Sequence, residues 1–245
     1  MYIYGRNTVE EALRDPSTTI EKLFLRESIN KKNLGPILEL ASSQRIPVGY
    51  VPGRKLHELV GQVQDQGIVA LIADIDYLDL DQWLEKTVPL QNPALLMVDG
   101  VEDPHNLGAI IRSAAASGIS GVFLPKHGSS PVTPAVHKTA AGNVGKIPIV
   151  RGGNMNQAIL ELKNRDFWIA GLDMEGDNYF WQQAMDMPLV IIIGGENKGL
   201  RPSTRKHCDF IVSIPLSNQV ESLNASVAAS LVCFEWKRQQ WNTQK

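Results

Sequence analysis

The sequence predicts an α/β protein in which a parallel sheet, covered by helices on both faces, follows a smaller α/β unit. From residue 94 onward, apolar β-branched runs alternate with segments of helical spacing. This alternation is typical of parallel strands that are buried on both faces. Three of the runs end in glycine-rich or polar loops, and the chain contains no internal repeats and no low-complexity tracts.

Residues 1–75 are expected to form the smaller unit. Thr8 is placed to cap a helix that runs to Leu13, with acidic residues in its first turn. Strands are predicted over 20–25, 46–51 and 67–72, and further helices over 34–43 and 54–60. Residues 76–93 are expected to be a linker, because the stretch from Asp74 is acidic and has a proline near its end. We expect one short helix over 81–86 in an otherwise solvated connection.

Residues 94–245 are expected to form the larger unit. Strands are predicted over 94–98, 121–124, 147–150, 167–172, 189–193 and 210–214, and helices over 107–117, 132–141, 154–165 and 222–240. Asn106 is well placed to cap the first of these helices, and Gly118 is expected to end it.

The composition is that of an ordinary globular protein of 245 residues, of which 43% are hydrophobic and 20% are charged. A formal net charge of −2 argues against binding nucleic acid by bulk charge, although it is compatible with a local basic surface. No apolar stretch approaches the roughly 18 residues of a membrane span, and the N-terminus lacks a signal-peptide layout. We therefore expect a cytoplasmic protein with no membrane partner.

Cysteine and histidine usage indicates neither disulfides nor a metal site. Cys208 and Cys233 are expected to be reduced, inert thiols. The five histidines are scattered, with no His-Glu-x-x-His and no Cys-x-x-Cys pattern. We expect no structural or catalytic metal.

The common nucleotide-binding motifs are absent from the sequence. No predicted strand is followed by Gly-x-Gly-x-x-Gly, which argues against a nicotinamide enzyme. Gly145-Lys146 is followed by Ile147 where a phosphate-binding loop has Ser or Thr, and no glycine lies five residues before Gly145. A P-loop enzyme is therefore not supported either.

Three junctions between a strand and a loop carry the candidate chemistry. They are Val98-Asp-Gly-Val-Glu-Asp-Pro-His-Asn106, Ile193-Gly-Gly-Glu-Asn-Lys-Gly-Leu200 and Ile214-Pro-Leu-Ser-Asn-Gln-Val-Glu-Ser-Leu-Asn224. Because the carboxyl ends of parallel strands meet at one edge of a sheet, these loops are expected to form a ligand site there. The pair Gly194-Gly195 would let the backbone approach that ligand closely.

Each candidate side chain also has a structural interpretation. Arg112, on the helix after the first junction, is either a surface arginine or an anion-binding fork. Glu196 is either a helix cap or a carboxylate aimed into the site, and Ser222 or Asn224 alone would be read as a helix cap. The small residues over 225–230 indicate close packing against another helix, in this chain or in a second subunit.

Taken together, the three segments resemble, in order and spacing, the motifs of the SpoU (TrmH-like) RNA ribose 2′-O-methyltransferases. The resemblance covers residues 94–245. The segments 4–13 and 66–70 look like the substrate-recognition domain of the ribosomal-RNA guanosine methyltransferases of that family. The resemblance implies a SPOUT-type domain with a deep trefoil knot around residues 190–230, preceded by a small RNA-recognition domain. It also implies a homodimer.

The resemblance further implies S-adenosylmethionine as methyl donor, bound in a bent pose inside the knot and mostly through main chain. The residues implied around it are Gly194, Gly195, Ile214, Leu216 and Leu223, with Thr139 and Leu172 in addition. Adenosine needs apolar walls and backbone donors and acceptors, which loops at strand ends provide.

For catalysis the resemblance points to Asn106, Arg112, Glu196, Ser222 and Asn224. The implied reaction is attack of a ribose 2′-hydroxyl on the sulfonium methyl group, which requires alignment and removal of the hydroxyl proton. A guanidinium stays protonated in proteins, so we expect Arg112 to hold the target phosphate and favour the developing alkoxide, with proton removal as the alternative. Glu196 is expected to order the site, with a general-base role as its alternative. The other three are expected to orient Arg112 and the nucleotide.

The expected substrate is a guanosine in large-subunit (23S) ribosomal RNA, because the N-terminal unit resembles that subgroup. DNA is excluded as a substrate because it lacks the 2′-hydroxyl. The alternatives are a tRNA ribose 2′-O-methyltransferase and a non-catalytic protein that binds RNA or the ribosome. Basic residues of the N-terminal unit are candidates for phosphate contacts, or else ordinary surface charges: Arg26, Lys31, Lys32, Arg54 and Lys55.

Overall fold

A computed structural model gives the fold. It describes residues 1–15, 18–30, 34–73, 75–88, 90–195, 199–217 and 220–243. Within these residues the chain forms one sheet between residues 2 and 72 and a second between residues 94 and 213. None of the described helices is both long enough and apolar enough to cross a lipid bilayer.

The first sheet has four strands in the order β1-β4-β2-β3. They are β1 (Tyr2–Tyr4), β2 (Ile20–Arg26), β3 (Val48–Val51) and β4 (Ile68–Ile72), connected by α1 (Arg6–Arg14), α2 (Gly35–Ser43) and α3 (Gly53–Val60). β4 is antiparallel to β1 and β2, and β3 is parallel to β2. The prediction that Thr8 caps α1 is wrong. The helix begins at Arg6, after Gly5 with φ +89°, and Thr8 is buried inside it.

The segment between the sheets is more firmly packed than the solvated connection that its acidic sequence predicts. It contains α4 (Leu80–Thr87), capped by Asp79 in a reciprocal capping box with Gln82. Trp83 of this helix is fully buried, and its indole N–H donates to the Ser120 carbonyl at 3.0 Å. Leu78 pairs in parallel with Val150, so the segment also extends the edge of the second sheet.

The second sheet has seven parallel strands in the order β7-β6-β5-β10-β8-β11-β9. They are β5 (Ala94–Asp99), β6 (Gly121–Pro125), β7 (Ile149–Gly152), β8 (Trp168–Leu172), β9 (Asn178–Tyr179), β10 (Leu189–Gly194) and β11 (Phe210–Ser213). The helices are α5 (Pro104–Ser117), α6 (Pro134–Ala140), α7 (Met155–Lys163), α8 (Pro202–Arg205) and α9 (Ala225–Thr243). The predicted α/β class with a covered parallel sheet is confirmed.

Alternate residues of the central strands face two separate cores. Leu96 of β5 and Ile191 of β10 pack with α5, α6 and α9 on one face. Leu95 and Val190 pack with α4 and α7 on the other. Burial on both faces explains why these strands read as unbroken apolar runs.

The first residues of α5 and α9 each differ from the prediction by three positions. Asp103, and not Asn106, caps α5, because its carboxylate accepts a hydrogen bond from the His105 backbone N–H at 2.9 Å. Gly118 ends this helix in the left-handed conformation, φ +80°, as predicted. The last helix begins at Ala225, three residues later than predicted.

Candidate active site

The three strand-loop junctions meet at the carboxyl edge of the second sheet. Gly194, at the end of β10, lies in register with Asp99, at the end of β5. A cavity of about 730 Å³ opens between the ends of β8, β10 and β11 and the start of α9. This edge is where parallel α/β sheets bind ligands.

Most of the residues expected around a cofactor line this cavity. Six of the seven do so: Leu172, Gly194, Gly195, Ile214, Leu216 and Leu223. Thr139 does not. It lies on α6, where its hydroxyl donates to the Ala135 carbonyl and lies 3.1 Å from His105 Nδ1. Its place in the structure is thus against α5, away from the cavity.

Close backbone packing accounts for both glycines at the end of β10. A Cβ on Gly194 would overlap the backbone of Gly199, and a Cβ on Gly195 would overlap the Gly100 carbonyl. Neither position therefore accepts a side chain without moving the neighbouring loop. The result is a wall of exposed main chain on one side of the cavity.

The charged residues of the cavity wall are mainly acidic. Asp173, Glu175 and Glu221 contribute carboxylates, and Arg205 contributes a guanidinium. Arg205 Nη1 lies 3.1 Å from Asp173 Oδ1 and 3.5 Å from Glu175 Oε2. These pairs join α8 to the loop after β8 and leave a negative balance facing the cavity. We did not expect these residues from the sequence, although Asp173 and Glu175 directly follow a strand end, which is the signal that identified the other loops.

Two of the five candidate catalytic residues touch each other. Asn224 Nδ2 donates to Asn106 Oδ1 at 2.9 Å, which joins the third junction to the first across 118 residues. Asn224 Oδ1 also accepts from the backbone N–H of Ser226 at 2.9 Å, so the same side chain caps α9. Ser222 is exposed and lines the cavity.

The other two candidates lie apart from this pair. Arg112 is exposed and is six residues beyond Asn106 on α5, about 9 Å along the helix axis, on a different side of the helix. It does not line the cavity. Glu196, with Asn197 and Lys198, lies outside the described residues.

The small residues of α9 pack against α5 within the chain. Ala225 and Ala229 are buried, and the hydroxyls of Ser230 and Ser113 lie 2.7 Å apart. The expected close helix packing is therefore satisfied inside one subunit.

Cys208 and Cys233 are both free, and burial raises the pKa of Cys208 to about 11 and that of Cys233 to about 12. Across the described ranges no group of three or more His, Cys, Asp or Glu side chains is placed to hold a metal ion.

The basic residues of the first sheet differ in their environments. Arg26 Nη2 contacts both carboxylate oxygens of the buried Asp65, at 2.9 and 3.2 Å, so its charge is already paired. Arg54 and Lys55 are exposed and lie near Glu58. Lys31 and Lys32 lie outside the described residues.

Sequence-family comparison covers both units of the chain. Residues 93–234 match the SpoU rRNA Methylase family, which is more than half of the chain. This chain belongs to the SpoU (TrmH) family of RNA methyltransferases. Residues 2–78 match a second family described as RNA 2′-O ribose methyltransferase substrate binding.

One relative and two solved structures are similar to this SpoU family member. A protein from Staphylococcus haemolyticus (strain JCSC1435), assigned to the TrmH family of tRNA/rRNA methyltransferases, is 39% identical over 97% of this chain and 95% of its own length. The SpoU methyltransferase AviRb from Streptomyces viridochromogenes, solved with AdoMet, has a TM-score of 0.81 at 24% identity, over 98% of this chain and 90% of its own. The A. aeolicus TrmH/SpoU tRNA modifying enzyme has a TM-score of 0.57 at 25% identity, over 67% and 84%.

Proposed function

We propose that this SpoU family member transfers the methyl group of S-adenosylmethionine to a ribose 2′-hydroxyl of a guanosine in large-subunit ribosomal RNA. The observation that carries the proposal is the cavity at the carboxyl edge. Its walls come from the second and third motifs, and the Asn106–Asn224 contact ties the third motif to the first. This cavity thus lies beside polar side chains suited to hold a nucleotide.

The residues of the cavity suit S-adenosylmethionine. Its volume of about 730 Å³ lies in the range of small-molecule sites. The glycine wall offers main-chain donors and acceptors, and Ile214, Leu216 and Leu223 offer apolar surface for an adenine ring. The surplus of carboxylates favours a ligand with net positive charge, and S-adenosylmethionine carries a sulfonium and an ammonium against one carboxylate. When bound, this cofactor supplies an electrophilic methyl group.

The side chains at the edge have separate roles in this proposal. Asn106 and Asn224 hold each other in place, so they present a fixed polar pair to the incoming ribose. Ser222 contributes a hydroxyl from the cavity wall. Arg112 holds a phosphate and favours the alkoxide that forms as the 2′-hydroxyl loses its proton. Glu196 orders the site, with proton removal as the alternative.

Ribosomal RNA is favoured over tRNA by the N-terminal sheet. The matched A. aeolicus tRNA modifying enzyme covers only 67% of this chain, whereas the match to the substrate-binding family occupies residues 2–78. An additional domain of this size adds a second contact surface for a large folded RNA. The deep trefoil knot around residues 190–230 belongs to the same proposal, and it is supported by β10 and β11 lying on opposite sides of β8.

A homodimer is also part of the proposal. The side of α9 opposite the core carries four exposed apolar residues at helical spacing: Val227, Leu231, Phe234 and Trp241. An exposed apolar stripe of this kind is typical of an interface. α5 and α9 pack side by side over the same core, and Arg112 lies on the outward side of α5. A symmetric pair formed on this surface would bring Arg112 to the interface.

The dimer is tested by Phe234→Glu, which places a charge in the centre of the stripe. We expect sedimentation to show a dimer for the wild type and a monomer for the variant, since a buried unpaired charge opposes association. Leu160→Glu, at an exposed leucine on α7, is the matched control and should remain dimeric. A Phe234→Glu variant that stays dimeric would place the interface elsewhere.

The function is tested by transfer of labelled methyl from S-adenosylmethionine to purified large-subunit ribosomal RNA and, separately, to tRNA. The modified position is mapped by resistance of the ribose to alkaline cleavage. We expect label at one guanosine of ribosomal RNA. Arg112→Ala should give no label but should still bind S-adenosylmethionine. Label in tRNA alone would contradict the assigned substrate. No label in either RNA would favour a protein that only binds RNA.

A further inference from the structure

A buried carboxylate ties the wall of the cofactor cavity to the central strand. Asp99, the last residue of β5, is 2% exposed. Thr204 Oγ1 donates to its Oδ2 at 2.9 Å, and Arg201 Nε lies 3.2 Å from its Oδ1. Both partners belong to the segment that continues from Gly199 and Leu200 in the cavity wall. The position of Arg201 is therefore fixed from inside the protein.

The outer edge of the Arg201 guanidinium faces solvent. The side chain is 52% exposed, and none of the described residues accepts a hydrogen bond from either Nη atom. Nη2 lies over Gly128, which has φ +79°, and a Cβ at that glycine would be only 2.6 Å away. A side chain at Gly128 would therefore displace the guanidinium from its place.

Arg201 lies in the chain between two residues that line the cavity, Leu200 and Pro202, although it does not line the cavity itself. A Cβ on Gly100 would lie 3.9 Å from Arg201 Nη2 and the same distance from Gly195 Cα in the cavity wall. On the other side, Lys126 and His127 are exposed and directly precede Gly128. The guanidinium thus lies at the lip of the cavity, just outside the residues that line it.

We propose that Arg201 binds a backbone phosphate of the RNA beside the target nucleotide, and that Asp99 is the residue that positions it. The proposal rests on the methyl-transfer function proposed above. A guanidinium presents its donors in a fixed fork, so a carboxylate that holds the Nε side leaves the two Nη atoms for bidentate contact with phosphate. Asp99 is buried and makes no contact with RNA itself. Its part is to hold the fork at the lip of the cavity.

The first test compares RNA binding by wild type and Arg201→Gln over about 50 to 200 mM salt, with large-subunit ribosomal RNA as the probe. Loss of one phosphate contact should make the dependence of log K on log salt shallower by about 0.7–0.9. Affinity should fall about tenfold at the lower salt. Arg165→Gln, at an exposed arginine beyond α7 at the opposite edge of the sheet, is the matched control and should bind as wild type. An unchanged slope for Arg201→Gln would overturn the assignment.

If Arg201 were only the counter-ion of Asp99, its variants would give different results. In that case Arg201→Gln would weaken the fold or S-adenosylmethionine binding, measured by calorimetry, and leave the salt slope unchanged. Arg201→Lys keeps a cation opposite Asp99 but lacks the fork. We expect this variant to bind S-adenosylmethionine as wild type, to keep the wild-type salt slope and to bind RNA several-fold more weakly. Wild-type RNA affinity for Arg201→Lys would also contradict the proposal.

The positioning role of Asp99 is tested by a double-mutant cycle. Asp99→Asn still accepts a hydrogen bond from Thr204 but loses the charge that holds Arg201. It should raise the KM for RNA with little change in kcat, and Asp99→Asn combined with Arg201→Gln should be no worse for RNA than Arg201→Gln alone. If the effects of the two substitutions on RNA were additive, Asp99 would not act through Arg201. The RNA affinities and salt slopes need RNA binding alone, so a wild type that binds RNA but methylates none would contradict the proposed function and not this inference.

Discussion

At the scale of single residues, Asn224 combines two functions in one amide. Its oxygen caps α9 through the Ser226 backbone N–H, and its nitrogen donates to Asn106. Ordinary capping therefore does not exclude a place in the site, although a cap is the simpler interpretation of this residue from sequence. Substitution can separate the cap from the contact with Asn106, because a serine at position 224 can cap the helix but is too short to reach Asn106.

We expect Asn224→Ala to lower the free energy of unfolding by about 1–2 kcal/mol, because the helix loses its cap. Asn224→Ser keeps a capping oxygen and should restore most of that stability, as measured by urea unfolding. Both variants should lose methyl transfer, since neither can hold Asn106. Full activity in Asn224→Ser would show that the contact with Asn106 is not needed.

His137 on α6 lies in an environment that opposes its protonation. Burial lowers the pKa of His137 from 6.5 to about 4, and the chain's amino terminus adds to this effect while the Asp15 carboxylate opposes it. Its Nε2 atom is buried, with no hydrogen-bond partner in the described part of the chain. The folded protein thus binds this proton more weakly than the unfolded chain does.

Because the folded protein binds the His137 proton more weakly than the unfolded chain does, acid should destabilise the fold through this residue. Between about pH 6.5 and pH 4 the unfolded chain takes up a proton that the folded protein excludes, so the free energy of unfolding falls as the pH is lowered. Between pH 7 and pH 5 we expect wild type to lose about 1–2 kcal/mol more than His137→Gln. His127→Gln, at an exposed histidine, should follow wild type. A His137→Gln variant with the wild-type pH dependence would show that this histidine is not the source.

At the scale of elements, the strongly apolar strands could be predicted from the sequence. Short elements, and those whose burial depends on contacts with distant residues, could not. β5 and β10 are buried on both faces, so their sequences carry the signal by themselves. β1 has three residues, β9 has two and α8 has four, which is too short for any periodicity to show. Acidic residues hid the packing of the 76–93 segment, because the buried side chains of its helix are few: Trp83, Leu84 and Thr87.

The same contrast holds for the site. Side chains at the ends of strands could be placed from sequence, because parallel strands bring their carboxyl ends together. Leu216 and Leu223, which the family resemblance implies near the cofactor, line the cavity. Thr139 and Arg112 lie on helices, whose rotation about their axes is set by packing that the local sequence does not show. Asp99 was missed because its importance depends on Arg201 and Thr204, about 100 residues away.

The turn that ends β10 gives a prediction at this scale. Gly194→Ala should reduce S-adenosylmethionine affinity at least tenfold and destabilise the fold by about 1–3 kcal/mol, since the added methyl displaces the Gly199 backbone in the cavity wall. Calorimetric titration and thermal unfolding measure the two effects. Gly153→Ala is the matched control, because nothing lies within 4 Å of its added Cβ. Equal affinity in the two variants would mean that the wall adapts to the methyl group.

At the scale of the whole molecule, the two sheets are joined by a segment that belongs structurally to the second. The backbone of Leu78 exchanges hydrogen bonds with β7, accepting from Arg151 at 2.9 Å and donating to Ile149 at 3.0 Å. Trp83 fills the core on the α7 face. The two units also touch each other through α6 and β1. The smallest independent catalytic unit should therefore begin before Leu78 and not at the first strand of the sheet.

Two truncations test this boundary. Residues 76–245 keep Leu78 and Trp83, so we expect a folded protein that binds S-adenosylmethionine with nearly full affinity but no longer selects its RNA. Residues 94–245 lose both, and removal of a buried tryptophan alone costs about 3–5 kcal/mol, a large part of the stability of a typical domain. Circular dichroism should therefore show the longer fragment melting cooperatively and the shorter one largely unfolded or aggregated. Equal stability of the two fragments would show that the 76–93 segment is dispensable, and retained RNA selectivity in the longer fragment would move recognition from the first sheet to the methyltransferase domain.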